Sequence, residues 1–81
     1  MLRIGTQTKQ SPQEVLARAT AFFGPKGTGL SITPQGPHTI EFSGGGGFVR
    51  VEAQPVAEGT DVEILTREWE YDVKRFLEQF A

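Results

Sequence analysis

Between residues 30 and 64, apolar side chains return at every second position in four short bursts. They are Leu30 and Ile32, then Ile40 and Phe42, then Val49, Val51 and Ala53, then Val62 and Ile64. An alternation of period two marks a strand with one buried face. Pro34-Gln35-Gly36-Pro37, the tract Gly44 to Gly47, and Glu58-Gly59 separate the bursts. Connections this short imply an antiparallel meander. Pro55 is read as ending the fourth strand or lying at an edge. Near the start, Leu2, Ile4, Thr6 and Thr8 alternate with Arg3, Gly5, Gln7 and Lys9, which predicts one more strand.

The period changes twice. Ser11-Pro12-Gln13-Glu14 reads as an N-cap, a proline at the first helical position and a capping-box glutamate. Val15, Leu16, Ala19, Phe22 and Phe23 follow at helical spacing, and Gly24-Pro25 stops them, the glycine taking a left-handed cap. A helix is predicted over about residues 12–23. Trp69, Val73, Phe76, Leu77 and Phe80 form one stripe, predicting a second helix over about residues 68–80. Glu68, Glu70 and Asp72 in its first turns and Lys74 and Arg75 later suit the helix dipole. The order is β-α-β-β-β-β-α. The chain has 81 residues, about half an average domain, so residues 1–81 are read as a single domain.

A sheet should let facing residues agree. The expected register sets Ile32 opposite Ile40 and Leu30 opposite Phe42, then Ile40 opposite Val51 and Phe42 opposite Val49. It continues with Val51 opposite Val62 and Val49 opposite Ile64. The first strand is expected beside the fifth, with Ile4 opposite Ile64. On the other face Arg50 would lie between Glu41 and Glu63, and Phe48 would sit directly opposite Leu65. Both helical stripes must then cover the apolar face. The fold class is α+β, a two-layer sandwich of a five-stranded antiparallel sheet with two helices on one face.

The first strand running into Ser11-Pro12-Gln13-Glu14-Val15, and the closing helix Trp69-Glu70-Tyr71-Asp72-Val73-Lys74-Arg75-Phe76-Leu77, give an element order that spans most of the chain. That order resembles a minimal START-like, polyketide-cyclase-like domain, or equally a TBP-like sheet. In such folds a curved antiparallel sheet grips a long C-terminal helix. The resemblance implies a hydrophobic pocket between sheet and helix. The middle portion that makes larger members roomy has no counterpart here.

Composition narrows the function classes. Hydrophobic residues make up 37% of the chain, with ten glycines, a globular share. So small a domain buries only roughly 60% of its unfolded surface, leaving little room for a large cavity. There is no cysteine, hence no disulfide or thiolate chemistry. No run approaches the ~20 apolar residues of a membrane span, and the start lacks a signal-peptide core. A cytoplasmic protein of the small bacterial-domain type, with no membrane partner, is expected. The net charge is −2. Residues 1–40 carry four basic and one acidic residue, and residues 41–81 four basic and nine acidic. The basic residues Arg3, Lys9, Arg18 and Lys26 are scattered, so no nucleic-acid partner is expected.

The candidate chemistry is sparse. Gly24-Pro25-Lys26-Gly27-Thr28-Gly29 invites a phosphate-loop reading, but Leu30-Ser31 follows where Lys-Ser/Thr would be needed, and the helix precedes the loop. Gly44 to Gly47 lacks the strand-to-helix setting of a dinucleotide fingerprint and reads as a hairpin loop. His38 is the only histidine, and a metal site usually gathers several such ligands. Ser31 and Ser43 fall on the outward face and His38 on the inward one, which argues against a catalytic triad. No enzyme activity, metal or cofactor is expected. Two candidate sites remain. His38, Ala53, Thr60 and Thr8 form a small or polar inward row at one end of the sheet, where a pocket for a small apolar ligand would open. Phe48 and Leu65, flanked by Arg50 and Arg67, form an apolar centre with a charged rim on the outward face, the anatomy of a protein interface. The favoured reading is an interaction or accessory module that forms a homodimer through that face or binds another protein there. The alternative is a carrier of a small apolar ligand.

Overall fold

A computed structural model describes residues 1–80. The chain runs β1 (Leu2–Thr8), α1 (Pro12–Phe23), β2 (Ser31–Pro34), β3 (Thr39–Gly44), β4 (Gly47–Val56), β5 (Gly59–Arg67) and α2 (Glu70–Leu77), closing in a 3-10 turn, Glu78–Phe80. All pairings are antiparallel, and the strand order is β1-β5-β4-β3-β2. The chain thus crosses the whole sheet through α1 before the meander begins. Phe23 of α1, Phe76 of α2 and Phe42 of β3 belong to one fully buried cluster, which places both helices on the same face.

Helix α1 starts as its sequence dictates. The Ser11 hydroxyl accepts the Glu14 amide at 3.2 Å, and Pro12 opens the first turn. At its end Gly24 keeps φ −72° in the extended region instead of the expected left-handed cap. Its role there is to leave room, since a Cβ would stand 2.5 Å from the Thr20 carbonyl oxygen and 3.2 Å from Ile32 Cδ1. Helix α2 is shorter than the stripe suggested. Trp69 is its N-cap residue, and Glu68 sits outside it at φ 77°. The indole Nε1 donates to the Gly44 carbonyl at 3.0 Å, which holds residue 69 out of the helix and makes Glu68 the corner.

The core lies between sheet and helices. Val15, Ala19, Phe23, Phe42, Val49, Val51, Ala53, Ile64, Val73 and Phe76 have no exposed surface. Phe76 packs tilted or edge-on against Phe22, Phe23 and Phe80, at ring-centroid separations of 5.5, 5.3 and 5.2 Å. Such aromatic contacts add to the hydrophobic gain of burial. Phe22, Ile40, Trp69, Leu77 and Phe80 are only partly covered, and Ile32 on the edge strand β2 is 36% exposed. Two threonines complete the inner face. Thr60 donates to the Gln10 carbonyl at 2.6 Å and Thr66 to the Phe48 carbonyl at 2.7 Å, so neither buried hydroxyl is left unpaired.

The expected registers of β3–β4 and β1–β5 match the structure, with Ile40 opposite Val51 and Ile4 opposite Ile64. The other two slip by two residues. Ile32 faces Phe42 and Pro34 faces Ile40; Val51 faces Ile64 and Val49 faces Thr66. Both slips have one cause, a proline read as a break. Gln35 donates its amide across the hairpin to Thr39 at 3.0 Å. Strand amides alternate sides, so the position of Pro34's missing N–H faces the free edge of the sheet. Ala53 donates to the His38 carbonyl at 2.8 Å, so residue 55 points the same way, beyond the end of β3. Neither proline forfeits a ladder bond. β4 therefore continues through Pro55 to Val56, the turn shrinks to Ala57-Glu58, and the register follows the turn.

The glycine tract divides by role. Gly44 pairs with Gly47, while Gly45 and Gly46 take φ 59° and 81°. Two successive positive φ values are the type I′ geometry of a two-residue hairpin, which glycine adopts without strain. A Cβ on Gly45 would also come within 2.7 Å of Trp69 Cζ2, so the hairpin serves as the bed for the indole.

Candidate functional site

The slips preserve which face each residue occupies and change its neighbours. On the outer face, Arg67 of β5 now stands opposite Phe48, and Arg50 opposite Leu65. Phe48 and Leu65 are therefore diagonal neighbours, not a directly facing pair. The Arg67 guanidinium lies 5.8 Å from the Phe48 ring centroid, within cation–π range. Leu65 sits between Arg3 on β1 and Arg50 on β4. Both apolar side chains are half-buried, and Arg50 and Arg67 are exposed. Arg50 bonds Glu41 at 3.2 Å as expected, but Glu63 is taken by Arg3 and faces Glu52 directly. The expected row of Glu41, Arg50 and Glu63 does not form.

This face carries a shallow concavity of about 360 Å³ bounded by Arg3, Arg50, Leu65, Glu52, Glu63, Gln35 and Thr39. Its floor is the sheet, and its walls are charged side chains rising from alternate strand positions. Sequence reasoning missed Arg3 and Glu52 as members of the group. The alternation of β1 already placed Arg3 on this face, but only the observed register sets it beside Leu65.

At the other candidate site the slip splits the expected row. His38 stays in register with Ala53, and Thr8 with Thr60, but Ala53 faces Val62 and Thr60 faces Pro55. Ala53 and Thr60 are fully buried. Beyond Thr8 and Thr60 lies an open concavity of about 670 Å³, lined also by Gln7, Lys9, Val56, Ala57, Glu58 and Phe80. Neither His38 nor Ala53 borders it. Between sheet and helix, where the START-like resemblance implied a pocket, Val73 and Phe76 meet β-strand residues with no exposed surface on either side.

The Gly24–Gly29 loop spends its amides on the helix it follows. Gly27 and Gly29 donate to the Gly24 carbonyl, Thr28 to Phe22, and Leu30 to Phe23, each at 2.9 Å. They cap the end of α1 and do not converge outward as a phosphate cradle would. Among the described residues, no three His, Cys, Asp or Glu gather to hold a metal ion, and no helix is long and apolar enough to cross a membrane. Comparison with protein-family models, curated proteins and solved structures found no match to this chain.

Proposed function

We propose that this chain is a non-catalytic interaction module of the cytoplasm, self-associating through the outer face of its sheet. One observation carries the reading. No element of the described chain covers that face, yet it holds Phe48 and Leu65 half-buried among Arg3, Arg50 and Arg67. Aromatic and arginine side chains around a small apolar centre are the residues that interfaces concentrate. The face is otherwise hydrophilic, which suits a surface that must also tolerate water when unpaired. The test is the double change Phe48→Ser with Leu65→Thr, with mass in solution measured beside the parent. The parent is expected to gain mass with concentration, and the double variant to remain at 8.9 kDa. A parent at monomer mass at every concentration removes self-association and leaves a different protein as the partner.

A second reading is favoured by the 670 Å³ concavity at the Thr8 and Thr60 end. Val56, Ala57 and Phe80 supply apolar wall, and Lys9 and the two threonines supply polar groups, a mixture common in small-ligand sites. This is the carrier reading, moved from the sheet–helix interior to the end of the sheet. Its test is a screen of small apolar compounds read by backbone amide shifts. Shifts confined to Thr8, Thr60 and Val56 support it, and an unresponsive spectrum rejects it.

A further inference from the structure

The two edges of the sheet are finished differently. Backbone groups of an antiparallel strand point alternately to its two sides. Ala53 donates its amide to His38, on the β3 side of β4. From there the registers run to β1 without a bulge, so Leu2, Ile4, Thr6 and Thr8 turn their backbone groups to β5. The amides and carbonyls of Arg3, Gly5 and Gln7 therefore face away from the sheet. Among the described residues these six groups have no backbone partner, and all three residues are exposed. The opposite edge is blunted. The same parity there turns Leu30, Ile32 and Pro34 outward. The Leu30 amide is spent on the Phe23 carbonyl and Pro34 has none, which leaves Ile32 alone. Proteins commonly guard an edge in this way, and β1 has neither a proline nor a bulge.

We propose that β1 is a binding edge, which adds an extended segment of another protein as a sixth, antiparallel strand. This surface is separate from the outer face and its Phe48 and Leu65 centre. Strand addition draws affinity from main-chain bonds and specificity from alternate side chains. On the inner side the added strand lies beside Leu2, Ile4 and Thr6, which are half-buried, so its apolar residues extend the core. On the outer side Gly5 brings no side chain. A shallow hollow of about 340 Å³ opens there, lined by Gly5, Thr6, Gln7, Asp61, Val62 and Glu63. Glu63 is the register partner of Gly5. Two strand spacings, roughly 10 Å, separate it from a residue added opposite Gly5. An arginine or lysine at that place lies across the glycine toward the carboxylates of Asp61 and Glu63. Glu63 already holds Arg3, whereas Asp61 takes part in no ion pair among the described residues.

The chemistry of the occupant follows from the same geometry. Its basic residue stands opposite Gly5, apolar residues stand opposite Thr6 and Ile4, and an acidic residue stands opposite Arg3. Along its own direction the segment reads apolar, basic, apolar, acidic. A second copy of this chain does not supply that pattern. The one basic side chain its β1 turns to the outer side is Arg3, which its own Glu63 already holds. Two copies centred on Gly5 would set glycine against glycine and leave the hollow empty.

The probe is the peptide Thr-Thr-Val-Arg-Ile-Glu-Val, blocked at both ends and titrated against the whole chain. Its control exchanges the arginine and the glutamate, which keeps composition and net charge. Hydrogen exchange is read amide by amide. At saturation the peptide should slow the Arg3, Gly5 and Gln7 amides about tenfold or more. The Ile4 and Thr6 amides, already bonded to β5, should change little. The control should bind about threefold more weakly or worse, and Asp61→Asn should narrow that difference. Gln7→Pro removes one free amide and leaves the ladder to β5 intact, as Pro34 does at the other edge, so it should weaken the peptide. Circular dichroism of each variant confirms the fold. Unchanged exchange at the three amides overturns the strand addition, and equal affinity for the two peptides overturns the basic residue over Gly5. Exchange at those amides that slows with concentration in the chain alone assigns the edge to a second copy and overturns the proposal. The Phe48→Ser, Leu65→Thr variant should bind the peptide as the parent does, so a failure of the outer face is read apart from a failure of the edge.

Discussion

The two faces of this sheet respond differently to the same change of register. On the inner face, a slip of two residues exchanges Ile64 for Thr66 opposite Val49 and Val62 for Ile64 opposite Val51, and the core still closes. On the outer face, the same slip replaces Leu65 by Arg67 opposite Phe48 and brings Glu63 against Glu52. Hydrophobic burial is non-directional and scales with area, so one branched side chain serves almost as well as another. Charge has sign and falls off over a short distance, so each neighbour matters. The interior of a small sheet is thus robust to an error that rewrites its surface.

The comparison breaks most visibly at Phe76. Truncation to alanine empties the meeting point of both helices and should cost about 3–5 kcal/mol, seen as a large fall in the urea midpoint or as failure to fold. A loss under about 1 kcal/mol would mean the inner face is less closed than its packing indicates. Gly45→Ala comes next. It forces a side chain into a left-handed turn and against the indole of Trp69, and should cost about 1–2 kcal/mol. Tryptophan emission should shift with it, because the ring loses its bed. Thr66→Val probes the slot that the slip filled with a polar residue. The shape is kept and the bond to the Phe48 carbonyl is lost, so a cost of about 1 kcal/mol is expected. A gain in the melting temperature would show that the slot prefers a purely apolar occupant. The smallest effect belongs to the outer face. Glu52→Gln relieves the repulsion from Glu63 and should stabilise the fold by about 0.2–0.5 kcal/mol, read as a small rise in the urea midpoint.

What was legible in the sequence was whatever short-range chemistry decides. Ser11, Pro12 and Glu14 fixed the start of α1, and the alternation of Val49, Val51 and Ala53 fixed which side of β4 is buried. That Phe48, Arg50, Leu65 and Arg67 share the outer face followed from the same parity. Who stands beside whom did not follow, because it depends on turn length, and turn length depended on whether Pro34 and Pro55 interrupt their strands. A proline's effect is set by where its absent amide would point, and that is a property of the neighbouring strand. The first turn of α2 was hidden for a similar reason. Trp69 is held out of the helix by a carbonyl 25 positions earlier in the chain, and no helical periodicity reports such a contact.

The strand order has a consequence for how the chain is made. β1 leaves the ribosome ahead of the other strands, yet its partners on β5 lie more than fifty residues behind it. The meander from β2 to β5 needs only adjacent hairpins, whereas closing the β1–β5 loop costs about 2 kcal/mol more in chain entropy. Of these strands, Leu2 to Thr8 is therefore the earliest synthesised and the last to find its place. Until it arrives, β5 is a bare edge carrying Val62 and Ile64, a template on which the β1 of a neighbouring nascent chain could pair as readily as its own.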